Sequence, residues 1–433
     1  MTVILIAIAV LVICLIIGVP VPYAFFASTL VVVLLGDYDY IFLVPHGYNK
    51  ASSIVLIAIP LFILAGGLME KSGIGESLVD VVDMFVGRLR GGLGIVMVFS
   101  CALFGSISGS GMATLSCIGS IMLPRMYKAG YPRGISSALI SSASLLGLLI
   151  PPSLSMLLYA FIGGQSVLAC FLATIVPGLI LATLLSAVNV FMLKGHKEIQ
   201  VMPKMAPKVY TSTLGIRLKK AIPALIAPVI ILGGIYGGIM TPTEAAAISV
   251  VYTVPVGIFI YKGLKGKGLK ESLVTAGTTS GVVMIMLFSV MILSRLYVTE
   301  NVPQMILDLM LSISENKIIL MLLVNAFLVL IGMLMDDTSA ILLSTPIMLP
   351  VVIQLGIDPI HYAAIMGVNL GMGCVTPPCA PFLYLGARVG NAPTREMMKP
   401  TMALIAFAWM PTLLITTYLP QVALFLPTVA GFR

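Results

Sequence analysis

Two pairs of consecutive prolines, Pro151-Pro152 and Pro377-Pro378, interrupt long apolar segments of this sequence. Proline has no backbone N–H and its ring clashes with the preceding helical turn, so each pair must break a helix and leave carbonyl oxygens without their usual donors. Free backbone groups at the depth of a bilayer are tolerated only where they are buried in protein or line a cavity. Two broken helices at corresponding places in two halves of a chain therefore indicate the binding site of a membrane transporter.

The composition places most of the chain inside a membrane. Of its 433 residues 59% are hydrophobic and only 9% are charged, whereas soluble domains average about 25% charged residues. The first segment has neither a basic region nor a small-residue cleavage site, so we interpret it as a spanning helix and not as a signal peptide. The sequence predicts an all-α polytopic membrane protein. Its apolar segments are suitable for helices that cross a bilayer, which takes ~20 residues; they are 2–19, 22–36, 54–70, 135–163, 166–194, 221–240, 243–261, 276–297, 360–387 and 401–426.

Two further apolar runs, 93–123 and 318–348, carry small or polar residues at their midpoints, and we predict that each is a re-entrant helical hairpin. If the basic loop 194–220 is cytoplasmic, most lysines and arginines fall in cytoplasmic loops, as the positive-inside rule expects. Reading either hairpin as a full crossing would reverse the later loops and remove this bias. The same scheme places both chain termini on the outer side of the membrane. The basic residues left outside are Lys50, Arg295, Lys317 and Arg433.

The second part of the chain repeats the first at a constant offset of 226 residues. The segment Ile121–Pro124 returns as Ile347–Pro350, and Gly147 returns as Gly373 with the prolines in the same register. An ungapped register that is carried by glycine and proline is not expected of two unrelated apolar segments. An odd number of predicted crossings separates the two units, so we expect them to be inverted in the membrane, as in many secondary transporters.

Each predicted unit contains a spanning helix, an amphipathic arm, a hairpin, a broken helix and a closing helix. The arm of the first unit, Gly75–Leu89, mixes charged and apolar residues as a helix at the lipid headgroups does; its counterpart near 302–315 is weaker. The predicted division of the chain is 1–53 for N-terminal scaffold helices, 54–195 for the first repeat, 196–275 for a basic loop with a connecting helix pair, and 276–427 for the second repeat.

The two hairpin tips carry the residues that we expect to bind ions and substrate. The first tip, Phe104–Met112, alternates glycine with serine, and the second, Gly332–Ser339, contains two aspartates and two hydroxyl residues. Two half-helices meet at each tip, so carbonyl ends that favour cations and amide ends that favour anions face one cavity. With a proline break facing each tip, the pattern predicts two oxygen cages for a hard monovalent cation, and amides for a carboxylate between them. Small residues at the tips could instead merely permit close helix packing.

Polar side chains within apolar segments supply further candidates. Asp336 and Asp337 either contact ion or substrate, as intramembrane carboxylates usually do, or are hydrated at a tip near the surface. Arg295 either binds a substrate carboxylate in a bidentate manner or extends to the nearby outer surface. Asn369 precedes the second break, whereas its counterpart in the first repeat is Ala143. The predicted substrate-binding residues are Ser108, Ser110, Pro152, Asp337, Thr338 and Asn369.

The sequence carries no enzyme signature that competes with transport. It has no Walker motif, so ATP does not energise this chain directly. Ser108, between glycines, is the candidate nucleophile of an intramembrane hydrolase, but that chemistry needs a base within hydrogen-bonding reach. On the predicted topology all three histidines fall in loops; they are His46, His196 and His361. We therefore predict that the protein is not an enzyme and holds no organic cofactor.

Several short motifs are distributed over most of the chain; they are Ala58–Gly66, Phe104–Ser110, Ile150–Ser153, Gly237–Ala247, Gly356–Pro359, Val368–Leu370 and Thr376–Pro378. In these motifs and in their order the sequence resembles the large membrane subunit of tripartite ATP-independent periplasmic (TRAP) transporters. It departs from the family pattern at Gly67, where glutamate is frequent, and at Asp336-Asp337, where Glu-Pro or Asp-Asp-Thr variants occur.

This resemblance implies an importer in the bacterial inner membrane that is driven by Na⁺ and works as an elevator against a fixed scaffold. It implies two partners, a small four-helix membrane subunit and a soluble periplasmic substrate-binding protein. The implied substrates are organic acids such as C4-dicarboxylates or sialic acid. The alternatives are a stand-alone proton-coupled anion transporter and an intramembrane hydrolase. The resemblance places one sodium ion at Ser106, Gly147 and Ile150, and another at Gly332, Gly373 and Thr376.

Overall fold

The apolar segments fold into α-helices throughout the part of the chain that the computed structural model describes, residues 2–36, 38, 40–87, 89, 91–196, 199 and 207–432. Within these residues eight helices are long and apolar enough to cross a membrane, and a pair of helices bent by 43° makes a ninth. The predicted class, an all-α polytopic membrane protein, is confirmed.

The first half of the chain contains two N-terminal helices, a short surface helix, and a series that runs from a spanning helix to a long closing helix. They are α1 (Thr2–Ile17), α2 (Val21–Gly36), α3 (Leu43–Ala51), α4 (Ala58–Ser72), α5 (Ile74–Val86), α6 (Gly92–Ser108), α7 (Gly111–Lys128), α8 (Arg133–Ala143), α9 (Leu146–Leu149), α10 (Leu154–Gly163) and α11 (Val167–Met192).

The second half begins with a connecting pair and then follows the same order. Its helices are α12 (Pro207–Tyr236), α13 (Pro242–Pro255), α14 (Gly266–Thr299), α15 (Val302–Ile313), α16 (Lys317–Leu334), α17 (Asp337–Gln354), α18 (Pro359–Val375), α19 (Pro381–Gly390), α20 (Thr394–Leu404), α21 (Met410–Tyr418) and α22 (Pro420–Val429). A π-helical segment, Ile405–Trp409, joins α20 to α21 as one continuous helix, and a second such segment, Val256–Ile260, extends α13.

The helix bounds recur at the offset of the sequence repeat. Both ends of the second hairpin leg shift by 226 residues, from Gly111–Lys128 to Asp337–Gln354. The two breaks also match in backbone conformation, because Ile150 has φ −94° and ψ 117° while Thr376 has φ −90° and ψ 123°. The chain therefore forms two helical hairpins, α6–α7 and α16–α17, and two broken helices, α8–α10 and α18–α19.

Three sequence predictions need correction. The N-terminal segment 1–53 contains a third helix, α3, besides the two predicted apolar helices, and the basic loop 194–220 is helical from residue 207 onward. The segment 401–426 is two helices, since Leu419 precedes Pro420 and takes a non-helical conformation, which a following proline favours.

The hairpins and broken helices pack on scaffold helices. The spanning helix α4 contacts both α13 and α14, and α14 also contacts α2 and α17. On the side predicted to be cytoplasmic, Arg125 of α7 pairs with Asp80 of α5 at 2.7 Å, and Arg217 of α12 pairs with Asp83 at 3.3 Å. The arm α5 is thus tied both to the first hairpin and to the connecting helix.

Candidate functional site

The first hairpin tip lies directly on the first break. A Cβ atom built on Gly105 would approach the Cα of Gly147 to 2.5 Å, so only glycine allows these two backbones to meet. Ser106 is the next residue of α6, and it donates its hydroxyl to the carbonyl of Leu103 at 2.7 Å. In the break the amide of Ile150 still donates to Leu146 O, at 2.8 Å. The prolines after it have no N–H to offer to the carbonyls of the last turn.

The second tip repeats this arrangement. A Cβ atom built on Gly373 would lie 2.7 Å from the Cα of Gly332, which is again a direct contact between two backbones. Thr376 donates its amide to Gly373 O at 2.9 Å and its hydroxyl to Met372 O at 2.7 Å. The structure therefore brings together the members of each predicted sodium set. Whether they bind sodium stays a prediction.

The contact between Gly332 and Gly373 also shows where the second tip lies along the broken helix. Gly373 lies 14 residues after the start of α18 at Pro359, or about 21 Å along a helix, and α19 continues beyond the break. Although α16 and α17 are each long enough to cross a bilayer, their tip meets the broken helix near its middle. Because each leg is also long and apolar enough to cross a bilayer on its own, the re-entrant course of this hairpin stays a prediction.

The two tips face a common cavity of about 570 Å³, a size that suits a small molecule. The first tip contributes Ser108 and Ser110, and the second contributes Asp337 and Thr338. The remaining walls belong to α4, α10 and α14, together with Leu385. Four of the six predicted substrate-binding residues thus share one cavity.

Both hairpins direct a helix N-terminus at this cavity. Ser110 caps α7 by accepting from the amide of Ala113 at 3.4 Å. Asp336 caps α17 by accepting from the amide of Ser339 at 3.3 Å, and it also accepts the hydroxyl of Ser339. Because unsatisfied amides and the helix dipole favour negative charge, two such N-termini suit an anionic group between them.

Asp337 links the two repeats. Its Oδ2 accepts the hydroxyl of Ser155, on α10, at 2.6 Å, and both residues are buried. The second hairpin tip is thereby attached to the half-helix that follows the first break. Ser155 carries no signal in the sequence, because its counterpart in the second repeat is Pro381 and 182 residues separate it from Asp337.

Two predicted substrate contacts lie outside the cavity lining. Asn369 is fully buried between helices and donates to Asn325 Oδ1 at 2.9 Å. Pro152 is buried beneath the first tip, where its carbonyl oxygen is 2.9 Å from the position of a Cβ on Gly109. The cavity instead includes Glu70 and a pair of α14 threonines, Thr275 and Thr279. The run Thr275–Gly281 of small and hydroxyl residues was a signal for the latter.

The structure also locates Arg295 and the histidines His46 and His361. Arg295 is exposed and does not line the cavity. Burial, and after it the charge of Arg295, lowers the pKa of His46, so Arg295 lies near the surface helix α3. This favours the interpretation in which Arg295 extends to the surface. The loop assignments of His46 and His361 are wrong, since His46 lies in α3 and His361 is buried in the first turn of α18. Asp358 at the N-cap and Pro359 at the first position were the overlooked helix-start signal.

Ser108, the candidate nucleophile of a hydrolase, has no base among its hydrogen-bond partners in the described part of the chain. The hydroxyl of Ser108 lies 3.3 Å from Thr114 Oγ1 and 3.4 Å from the carbonyl oxygen of Ser110. Neither group can accept the proton of an attacking serine at neutral pH. The geometry around Ser108 therefore gives the hydrolase alternative no support.

Comparisons with known proteins place the chain in a family. The sequence matches the tripartite ATP-independent periplasmic transporter, DctM component, over residues 8–422. It is 35% identical over 412 residues to the isethionate TRAP transporter permease protein DctMQ of Oleidesulfovibrio alaskensis, which covers 95% of this chain and 64% of that longer protein. It is 35% identical over 388 residues to the C4-dicarboxylate TRAP transporter large permease protein DctM of Pseudomonas aeruginosa, covering 89% and 88% of the two chains.

The fold has a solved relative at low identity. The YdaH transporter of Alcanivorax borkumensis superimposes with a TM-score of 0.60 at 15% identity, over 87% of each chain. Two hairpins and two broken helices around a shared cavity define a polytopic membrane protein of the secondary-transporter class. Within that class, the chain belongs to the DctM family, the large membrane component of TRAP transporters.

Proposed function

We propose that this chain is the large membrane subunit of a sodium-coupled importer of a small organic acid, such as a C4-dicarboxylate or sialic acid. The observation that carries the proposal is the cavity that both hairpin tips share, with a helix N-terminus from each tip and a proline break behind it. Two relatives are named as transporters of isethionate and of C4-dicarboxylates, both of which are small anions. A cavity of about 570 Å³ has room for molecules of this class.

The charges of the lining support coupling to a cation. Among the described residues that line the cavity, Glu70, Asp336 and Asp337 are acidic and none is basic. Two helix N-termini supply only about half a positive charge each, which is little for holding an anion beside carboxylates. A sodium ion at each break would supply the remaining positive charge. In this proposal Ser106, Gly147 and Ile150 hold one ion, and Gly332, Gly373 and Thr376 hold the other.

The extent of the cavity supports an elevator with its site turned to the cytoplasm. The lining reaches Glu70 near the end of α4 and Thr275 near the start of α14, which are the ends predicted to be cytoplasmic. We propose that the hairpins and broken helices move as a unit along α4 and α14. The remaining components would be a small four-helix membrane subunit and a soluble periplasmic binding protein, in a bacterial inner membrane with both termini of this chain in the periplasm.

Reconstitution of the three components in liposomes tests the proposal. The assay follows uptake of radiolabelled C4-dicarboxylates, sialic acid and isethionate under an inward sodium gradient, with potassium at equal concentration as the control. We expect uptake of one acid only with sodium outside and with its binding protein present. Equal uptake with a proton gradient in sodium-free buffer, or without the binding protein, would instead support the stand-alone proton-coupled alternative.

The enzyme alternative has its own test. A serine-reactive probe should label neither the wild-type protein nor the Ser108→Ala variant. Labelling that disappears in this variant would contradict the transport-only assignment.

A further inference from the structure

Three buried polar side chains join α16, α18 and α21 beside the second break. Asn325 Nδ2 donates to Thr417 Oγ1 at 3.0 Å, and Asn369 Nδ2 donates to Asn325 Oδ1 at 2.9 Å. None of the three residues is more than 5% exposed. We call them the asparagine network. Thr417 also lines a surface recess of about 390 Å³, so the network runs inward from that recess.

The orientation of the central amide follows from the acceptor beside it. Asn369 Nδ2 also lies 2.8 Å from the carbonyl oxygen of Ile365, and a carbonyl can only accept. The amide therefore cannot be turned over without setting two acceptors against each other. In this orientation Asn369 Oδ1 is buried and has no hydrogen-bond partner among the described residues. An unsatisfied buried acceptor destabilises the fold, so the Asn369 side chain lowers the stability of the folded protein in this respect.

The corresponding positions of the first repeat carry no polar side chains, and one of them, Phe191, is exposed where Thr417 is buried. At the offset of 226 residues the counterparts of Asn325, Asn369 and Thr417 are Phe99, Ala143 and Phe191. Because both repeats have the same order of helices, the fold itself does not require the asparagine network. Its presence in one repeat alone points to a task at the second break.

The network lies next to the backbone contact that defines this break. Asn369 is one helical turn before Gly373, so both project from the same face of α18 toward α16. Asn325 is two turns before Gly332 on α16. We propose that the asparagine network positions α16 against α18 and so sets the spacing of the Gly332 and Gly373 backbones at the second cation site. Asn369 is then a positioning residue for a cation, and not a substrate contact; this inference rests on the proposed sodium coupling.

Sodium binding can be measured without knowing the substrate. The full chain, purified with its small membrane subunit, is unfolded thermally in mixtures of NaCl and KCl at constant total salt. Ligands that bind only the folded state raise its stability by RT ln(1 + [L]/Kd). A fit of the unfolding temperature against sodium concentration therefore gives the concentration at which half of the sites are occupied, which we call the sodium half-point. The variants are Asn369→Ala, which copies the first repeat, and Asn189→Ala as the control. Asn189 is also buried and donates to Gly91 O at 3.1 Å, and its Oδ1 has no hydrogen-bond partner among the described residues, but it lies in α11.

We expect Asn369→Ala to raise the half-point for sodium about tenfold, the lower end of what residues that orient metal ligands contribute. Asn189→Ala should lower the unfolding temperature in KCl and leave the sodium half-point unchanged. An Asn369→Ala protein that behaves like the control would overturn the positioning role. If Asn369→Ala does not fold, Thr417→Val, which nearly preserves the side-chain shape, takes its place. We then expect Thr417→Val to raise the sodium half-point, and Thr417→Ser, which keeps the hydroxyl, to have the wild-type half-point. A wild-type protein that sodium does not stabilise would contradict the proposed function itself, and the inference with it.

Discussion

Replacing Gly373 by alanine tests whether close backbone contact at the second break is needed for ion binding. The new Cβ would lie 2.7 Å from both Cα and C of Gly332 and 2.9 Å from the carbonyl oxygen of Val329. Carbon atoms pack at about 3.5–4.0 Å, so α16 would have to move away by about 1 Å. The atoms in the way belong to the backbone, and rotation of a side chain cannot relieve the overlap.

We expect Gly373→Ala to lower both the stability of the protein and its affinity for sodium. Overpacking of this kind costs about 1–3 kcal/mol of folding free energy, which thermal unfolding in potassium chloride should detect. A binding site must be held to within about 0.5 Å to work, so we expect the sodium half-point to rise by about tenfold or more and sodium-driven uptake to fall in parallel.

Gly367→Ala is the matched control, because it lies on the same helix. A Cβ there would meet only side-chain ends, with Leu149 Cδ2 at 3.1 Å and Met156 Cε at 3.3 Å, and these can shift by a few tenths of an ångström. We expect a small change in stability and an unchanged response to sodium. If the Gly373→Ala protein keeps the sodium half-point of this control, the contact is mere packing and our reasoning is refuted.

Three further predictions concern the first site, the link between repeats and the outer surface. Ser106→Ala should raise the sodium half-point about tenfold while membrane insertion stays normal; unchanged sodium-driven uptake in liposomes would remove Ser106 from the site. Ser155→Ala should cost about 1.5–3 kcal/mol, since it removes a hydrogen bond to a charged group. Thermal unfolding beside Ser186→Ala, a buried serine that bonds within its own helix, measures it; a loss no greater than that control would show that the 2.6 Å contact with Asp337 carries no stability. Burial and the charges of Arg295 and Lys50 lower the pKa of His46 below its ordinary 6.5. The folded protein therefore takes up a proton less readily than the unfolded chain, and stability should fall as the pH drops below about 6.5; His46→Gln should weaken this dependence between pH 7.5 and 5.5, and an identical profile would contradict it.

The main features of the fold could be predicted because they depend on local backbone chemistry. Pro151-Pro152 and Pro377-Pro378 remove donors wherever they stand, and glycines such as Gly109 allow the tight turn at a hairpin tip; Gly109 has φ 62° here. The repeat then provided the register, since a pattern seen in one half could be checked in the other. These signals need no knowledge of which helices touch.

What could not be predicted depends on partners that are distant in sequence. Asn369 lies on the face of α18 that its spacing from Gly373 predicts, but its partner Asn325 is 44 residues away, and only packing shows that this face meets α16 and not the substrate. Likewise, nothing near Asp337 indicates that Ser155 completes its surroundings. The short helices α3 and α22 were missed because each has fewer than three turns: the mixed sequence of α3 resembles a loop, and the apolar sequence of α22 resembles the end of a longer span.

The hydrogen bond between Ser155 and Asp337 has a consequence for engineering this family. Although duplication produced two similar halves, the halves are no longer independent parts, because each completes the other's buried groups. A chimaera that exchanges one half with that of a relative must carry both members of this pair, or it will leave a carboxylate without its donor in the wall of the cavity.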